Sequence, residues 1–287
     1  MAGKISGTRV ISGAVLVILA LATIIPGGPV LAVTLYILSN IAFLELTRAC
    51  GIHGAQVESA KGAEKKYAIC DLQIVGFLGI LCYYLVIYFG QTQLYFMITV
   101  ILLLMALMFV YVFTFPKYTA NQIMTTYFSF IYAPIMLSFI YMTRCVTHGV
   151  YIVWMIFISS WICDTCAYFA GVMLGKHKMT PKLSPKKTIE GAIGGIAGSA
   201  LVGGLFGWFL VDRVSYGSEF IWILAIIGGV GAVISQVGDL AASAIKRNHD
   251  IKDYGKLIPG HGGIMDRFDS VIFTAPMVYF LVTLMLK

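Results

Sequence analysis

The sequence predicts an all-α, polytopic integral membrane protein of about nine transmembrane helices, with its N-terminus in the cytoplasm. Three observations carry that expectation. Hydrophobic residues make up 59% of the chain and charged ones 11%, with a mean hydropathy of +0.89, far more apolar content than a soluble core uses. Apolar stretches close to the ~20 residues that a bilayer core requires recur near 10–25, 29–47, 68–89, 94–115, 123–143, 150–175, 189–211, 220–245 and 268–286. The basic residues also alternate: with the N-terminus inside, 17 of 20 fall in cytoplasmic connections, leaving only Arg144, Arg213 and Lys287 outside, as the positive-inside rule demands. The formal charge of +7 therefore reflects topology, and no nucleic-acid partner is expected.

Taken in order, the first segment follows Lys4 and Arg9 as a signal peptide would. No small-x-small cleavage site comes after it, so it reads as a retained helix. Glu45, near the inner end of the second segment, is either a snorkelling interfacial carboxylate or a functional group, and the sequence leaves both open. Asp71 opens the third segment, where a negative charge suits the helix dipole. Tyr and Phe are scattered through the third to fifth segments for packing and lipid contact. The six cysteines, at 50, 70, 82, 145, 163 and 166, show no disulfide spacing. Cys163-x-x-Cys166 has the spacing of a redox pair but lies mid-helix in an apolar run, which favours packing. Residues 1–145 thus read as a chemically quiet scaffold, and 146–287 as a catalytic region with cytoplasmic loops 176–188 and 246–267.

The sixth segment carries Asp164 in the run Asp164-Thr165-Cys166-Ala167-Tyr168-Phe169-Ala170-Gly171. It lies ~18 Å of helix before Lys176, and a carboxylate at that depth marks a functional site unless it is structurally paired. Gly171 and Gly175 permit close helix approach. Next comes Ser184-Pro185-Lys186-Lys187-Thr188-x-Glu190-Gly191, entering a helix whose Gly191, Gly194, Gly195 and Gly198 leave one side nearly bare. Hydroxyls, free backbone donors and two lysines at a helix N-terminus suit phosphate. A capped positive-inside loop has the same residues.

The stretch Ser235–Ser270 organises the rest. Ser235, Asp239, Ser243 and Lys246 share one helix face, with Lys246-Arg247 ~10 Å of helix beyond Asp239. After a basic, glycine-rich loop, Asp266 and Asp269 open the last apolar segment. Two carboxylates bracketing such a loop suggest a divalent cation and phosphates held together. Gly260, Gly262 and Gly263 would let backbone amides approach phosphate, with His261 donating beside them; a turn alone would also require glycine.

The run Ser243-x-Ile245-Lys246-Arg247, Lys252-Asp253-x-Gly255, Ile258-Pro259-x-His261-Gly262-Gly263-Ile264-x-Asp266-Arg267-Phe268-Asp269 resembles the signature of the phosphatidate cytidylyltransferases across all 27 positions. SPKKTxEG and the Asp-x-x-Ala-Tyr run are similar to further motifs of that family. The resemblance covers roughly residues 164–270. It implies transfer of CMP from CTP to phosphatidate, giving CDP-diacylglycerol and pyrophosphate, with Mg²⁺ (or Mn²⁺) as cofactor. It also implies a homodimer in the lipid bilayer, in the cell membrane if the source is bacterial, with the active site on the cytoplasmic side.

That chemistry joins two anions, so it needs a cation, Lys/Arg clamps and oriented donors rather than a protein nucleophile. Two aspartates suffice for Mg²⁺, which keeps waters and phosphates in its shell; Asp239 and Asp266 are the candidates. Lys246, Arg247 and Arg267 join them as catalytic residues. Asp164, Ser184, Lys186, Lys187, Glu190, Ser243, Lys252, Asp253, His261, Gly262, Gly263 and Asp269 are the expected substrate-binding set. A CTP-dependent lipid kinase of the dolichol or phytol type, or a cation-coupled transporter using Asp164 and Asp239, is the alternative.

Overall fold

The computed structural model describes residues 7–57, 66–90, 93–258 and 262–286. His261 and Gly260 of the glycine-rich loop, and Lys4, Lys61, Lys65 and Lys287 of the charge pattern, lie outside them. The protein is helical, as its composition dictates. Its helices are α1 (Gly7–Ile24), α2 (Gly28–Ala49), α3 (Asp71–Tyr88), α4 (Gln93–Phe113), α5 (Ala120–Cys145), α6 (Gly149–Leu174), α7 (Ile189–Leu210), α8 (Glu219–Asn248) and α9 (Met265–Met285). Eight of these, α2 to α9, are long and apolar enough to cross a membrane. The first of the nine expected segments is shorter, with Gly13–Ile24 as its apolar part among the described residues. Large side chains such as Phe113, Trp208, Phe209 and Trp222 stand exposed, as lipid-facing positions must.

Two helices depart from regular geometry for visible reasons. In α5 a π-helical turn spans Ile131–Ile135 around Pro134, whose ring nitrogen cannot donate to the helical ladder. In α6 a second π turn spans Ile158–Ile162. Ser159 and Ser160 are fully buried in it, and Ser160 Oγ returns a hydrogen bond to the Ile156 carbonyl at 2.8 Å. Such a turn re-aims the residues that follow, here Cys163 and Asp164.

The chain forms two compact units, Met1–Ser138 with Asp253–Met265, and Phe139–Lys252 with Asp266–Lys287. The segment 253–265, read from the sequence as part of the C-terminal region, groups with the first unit.

In the first unit, two sets of polar groups buried between helices are paired. Ser39 Oγ and the Tyr84 hydroxyl lie 2.7 Å apart. The Gln73 amide donates to Thr47 Oγ1 and to the Ile52 carbonyl at 3.0 and 2.9 Å, fastening the end of α2 to α3. Asp71, at the first turn of α3, also forms an ion pair with Lys117 at 2.5 Å and accepts from the Tyr118 hydroxyl.

The second unit is built on small residues. A Cβ at Gly194 would overlap that of Ala170, and one at Gly198 would meet Cys166 Sγ at 2.5 Å, so this half of α7 lies directly on α6. Further along, Gly203 and Gly207 face Leu224 and Ile221 of α8, and Gly228 of α8 faces the Ser199 carbonyl. The glycines at 191–198 therefore serve the approach to α6, while those at 203 and 207 serve α8. Gly238 sits 2.9 Å, as a built Cβ, from the Asp269 carbonyl, bringing α8 against α9. Buried Cys163 receives a hydrogen bond from the Gln236 amide at 3.4 Å and donates to the Ala232 carbonyl at 3.7 Å. Cys163 Sγ and Cys166 Sγ stand against Gly195 and Gly198 of α7, so both cysteines take part in helix packing.

Candidate functional site

The second unit holds most of the residues singled out in the sequence. Between α6 and α7 the chain makes a hairpin of two strands, β1 (Lys178–Thr180) and β2 (Ser184–Thr188), paired antiparallel with Lys178 opposite Thr188 and Thr180 opposite Ser184. Thr188 ends the strand and caps the helix, its Oγ1 accepting from Gly191 N at 3.1 Å, as an N-cap threonine should. Glu190, expected to bind substrate, is turned the other way. Its carboxylate accepts from the backbone amides of Lys176 and His177 at 3.1–3.2 Å and lies 2.6 Å from His177 Nδ1. Glu190 thus fastens the base of the hairpin and sets the direction in which Lys186 and Lys187 leave it.

Beside the hairpin is a cavity of about 350 Å³, lined by Asp164, Tyr168, Lys186, Lys187, Thr188 and Gln236 among others. Acids and bases of the sequence motifs meet around it. Lys187 Nζ lies 2.5 Å from Asp239 Oδ2, as a close ion pair without the alignment of a hydrogen bond. Asp164 is within electrostatic reach of Asp239, Lys187 and Arg267. Asp269, whose Oδ1 accepts from Ser270 N at 2.8 Å, is within reach of Asp239, Lys246 and Asp164. Three carboxylates from α6, α8 and α9 therefore crowd one region. Their mutual repulsion is offset in part by Lys187, Lys246 and Arg267.

A second pair runs alongside. Lys246 Nζ donates to Asp266 Oδ1 at 2.9 Å, with the two side chains 14% and 2% exposed. Asp239 and Lys246, two turns apart on one face of α8, thus each take a partner of opposite sign from another element. One turn before Asp239, Ser235 Oγ is fully buried with no hydrogen-bond partner among the described residues, an orphaned acceptor beside the carboxylates.

Of the remaining expected residues, Ser184 lies in β2 and Ser243 is half-buried on α8, while Arg247 and Lys252 are exposed near its C-terminal end. Asp253, Gly262 and Gly263 belong to the first unit, where Gly263 is pressed against the Glu45 carboxylate. Gln236 and Thr188 were not singled out as site residues. A lone amide in an apolar helix was the available signal for Gln236, and the threonine after two lysines was the signal for Thr188.

The donors gathered here are all oxygens. Among the described residues no three Asp, Glu, His or Cys side chains form a metal cage by themselves. Mg²⁺ does not need one, since it binds through one or two carboxylates plus phosphates and water. The set of Asp239, Asp266, Asp269 and Asp164, with Ser235 Oγ unfilled, fits such a hard cation.

A family model described as "Cytidylyltransferase family" matches residues 7–285. The chain is also similar to proteins named phosphatidate cytidylyltransferase. It is 37% identical to that of Staphylococcus saprophyticus over 142 residues, 50% of this chain and 53% of the relative. The Staphylococcus haemolyticus protein is 39% identical over 147 residues, covering 51% and 54%, and that of Staphylococcus aureus 40% identical over the same length and shares. The chain spans about half the length of the curated relatives it matches. A match running through nearly all of the sequence, from α1 to the end of α9, shows that the chain belongs to the cytidylyltransferase family.

Proposed function

We propose that this chain transfers CMP from CTP to phosphatidate, giving CDP-diacylglycerol and pyrophosphate. The observation that carries the reading is the Lys187–Asp239 pair at the wall of the hairpin cavity. A cation presented by a strand just before a helix N-terminus meets a carboxylate on a second helix, with two further carboxylates close by. Phosphates need the first, and a divalent cation needs the second.

In the reaction a phosphate oxygen of phosphatidate attacks the α-phosphorus of CTP. A new P–O bond forms there, the bond to the β-phosphate bridging oxygen breaks, and pyrophosphate leaves with both electrons. No protein nucleophile takes part. Lys186 and Lys187 receive the polyphosphate, Lys187 exchanging its Asp239 contact for a phosphate oxygen. Asp239 and Asp266 would hold Mg²⁺ (or Mn²⁺), with Asp269 and Asp164 adding carboxylates to the site. When bound, the ion neutralises charge on the reacting and leaving oxygens. Lys246, Arg247 and Arg267 offset the charge of the departing pyrophosphate and keep the carboxylates together. Ser184, Ser243 and Lys252 complete the substrate contacts by their motif positions, and Glu190 acts through the hairpin. The enzyme works as a homodimer in a bacterial plasma membrane, with loops 176–188 and 246–267 at the cytoplasmic face, where the basic residues collect.

The test is turnover by the purified chain in mixed micelles of phosphatidate with α-labelled CTP. CDP-diacylglycerol and pyrophosphate should appear in equal amounts and only with Mg²⁺ or Mn²⁺ present. CDP released without pyrophosphate would instead identify a CTP-dependent lipid kinase.

A further inference from the structure

We infer that Glu45 is a positioning residue: its carboxylate fixes the glycine-rich segment that leads into Asp266. Glu45 is 8% exposed on α2, and a carboxylate buried in an apolar helix is costly unless its oxygens are filled. Both are. Oε1 accepts from Ile264 N at 3.2 Å and Oε2 from Met265 N at 2.8 Å. These amides are among the free donors at the start of α9, where a negative charge also meets the helix dipole favourably. Such donors are ordinarily capped by a Ser, Thr, Asp or Asn just ahead of the helix. Here Gly262, Gly263 and Ile264 supply none, and the cap comes from a residue 219 positions away in sequence.

Two glycines are reserved for this contact. A Cβ at Gly255 would overlap Glu45 Oε1 and lie 2.7 Å from its Cδ, and a Cβ at Gly263 would overlap both carboxylate oxygens. Between them the chain turns back on itself. Gly262 takes a φ of 83°, which suits glycine, and Ile258 N donates to the Gly262 carbonyl at 2.8 Å. The snorkelling expectation for Glu45 is thereby replaced: the carboxylate points into protein rather than to the interface. One peptide link, ~3.8 Å between Cα atoms, separates the restrained Met265 from Asp266. Loosening the amides of 264 and 265 therefore loosens the origin of the Asp266 side chain and of the Arg267–Asp269 turn after it.

The inference rests on the cytidylyltransferase reading only in treating Asp266 as a cation ligand. Its test uses the full chain in detergent, with Mn²⁺ as the probe followed by electron paramagnetic resonance, and hydrogen exchange at the backbone. In Glu45→Gln an amide nitrogen replaces one acceptor, so the amides of Ile264 and Met265 should exchange faster while those of α7 do not change. Mn²⁺ binding should weaken by about tenfold to about a hundredfold, as when a group orienting a metal ligand is removed. Gly263→Ala should show the same two losses, and Glu45→Ala with Gly263→Ala should be no weaker than Glu45→Ala alone, because the space is then open. If Glu45→Gln does not purify, Glu45→Asp carries the same comparison on a shorter arm. Unaltered exchange at 264–265, Mn²⁺ affinity equal to wild type, or a wild type that binds no Mn²⁺ would each overturn the inference. A wild type that binds Mn²⁺ yet yields no pyrophosphate sinks the reaction assigned above and leaves the role of Glu45 standing.

Discussion

Lys187 and Asp239, 52 residues apart, meet at 2.5 Å, joining the strand that enters α7 to the middle of α8. Both side chains are part-exposed, at 25% and 28%, and Lys187 lines the cavity, while its Nζ is buried against Asp239. On the proposed reaction the pair opens to admit phosphate and cation. Lys187→Ala and Asp239→Asn should each lower turnover per folded molecule by at least about tenfold, equivalent to about 1.4 kcal/mol of barrier. Their combination should be far less than multiplicative if, as proposed, both groups serve the same phosphates, Lys187 directly and Asp239 through the cation. Pyrophosphate release measured on the two single variants and the double variant decides it. A Lys187→Ala enzyme near wild type would make Lys187 a topology anchor only.

The second pair should behave differently. Lys246 and Asp266 are nearly closed off, at 14% and 2% exposed, and removing Lys246 takes a buried ion pair from Asp266. Breaking such a buried pair costs about 3–5 kcal/mol. Lys246→Met should therefore lower the thermal unfolding midpoint in detergent as well as turnover. Lys117 and Asp71, 57% and 45% exposed, form a closer pair, 2.5 Å against 2.9 Å, in a screened setting. Lys117→Met should leave the midpoint near wild type, and added salt should not separate the two proteins further. The comparison fails if both variants unfold alike.

What the sequence made legible, and what it did not, divides along physical lines. Hydropathy is summed over a whole segment, so eight of the nine apolar stretches emerge as spanning helices despite Pro134 and Pro276 inside them. Motif spacing along one helix was also readable: Asp239 and Lys246 lie seven apart on one face. Which partner each takes was not, because pairing depends on how helices are laid side by side. Lys187 and Asp266 come from elements that no periodicity connects to α8. The glycines of α7 show the same limit. Small residues announce close approach but not the neighbour, and Gly194 and Gly198 turned out to face α6. Glu45 was ambiguous for a related reason, since its partners are backbone amides, which leave no trace in residue type. The π turn before Asp164 had only Ser159-Ser160 as a signal.

Helix contact at the small residues gives a prediction independent of chemistry. At Gly194 a methyl would overlap Ala170 Cβ, whereas at Gly229 it would stand 3.5 Å from Ala200 Cβ, an ordinary contact. Gly194→Ala should destabilise the protein by about 1–3 kcal/mol through overpacking, and Gly229→Ala should not. Because Ala170 Cβ is the obstacle, Ala170→Gly combined with Gly194→Ala should recover most of the loss. Unfolding midpoints of the three variants measure this, and absence of recovery would place the strain elsewhere.

Sidedness is the last expectation. The connections after α6 and α8 carry Lys176, Lys178, Lys182, Lys186 and Lys187, and then Lys252 and Lys256, whereas the connection after α7 holds Arg213 alone. Each connection is separated from the next by one spanning helix, so opposite charge content means opposite sides. This argument runs from α6 onward and does not depend on whether α1 crosses. In a background with all six cysteines replaced, Lys182→Cys and Lys252→Cys, both at exposed positions, should react with an impermeant maleimide only after the cells are opened. Ser215→Cys, exposed in the turn after α7, should react in intact cells. On the proposed reaction, both substrates' phosphates are then reached from the cytoplasm, where CTP is available. Labelling of Lys182→Cys in intact cells would put the hairpin cavity on the outer face, out of reach of cytoplasmic CTP, and would overturn the proposed reaction along with the topology.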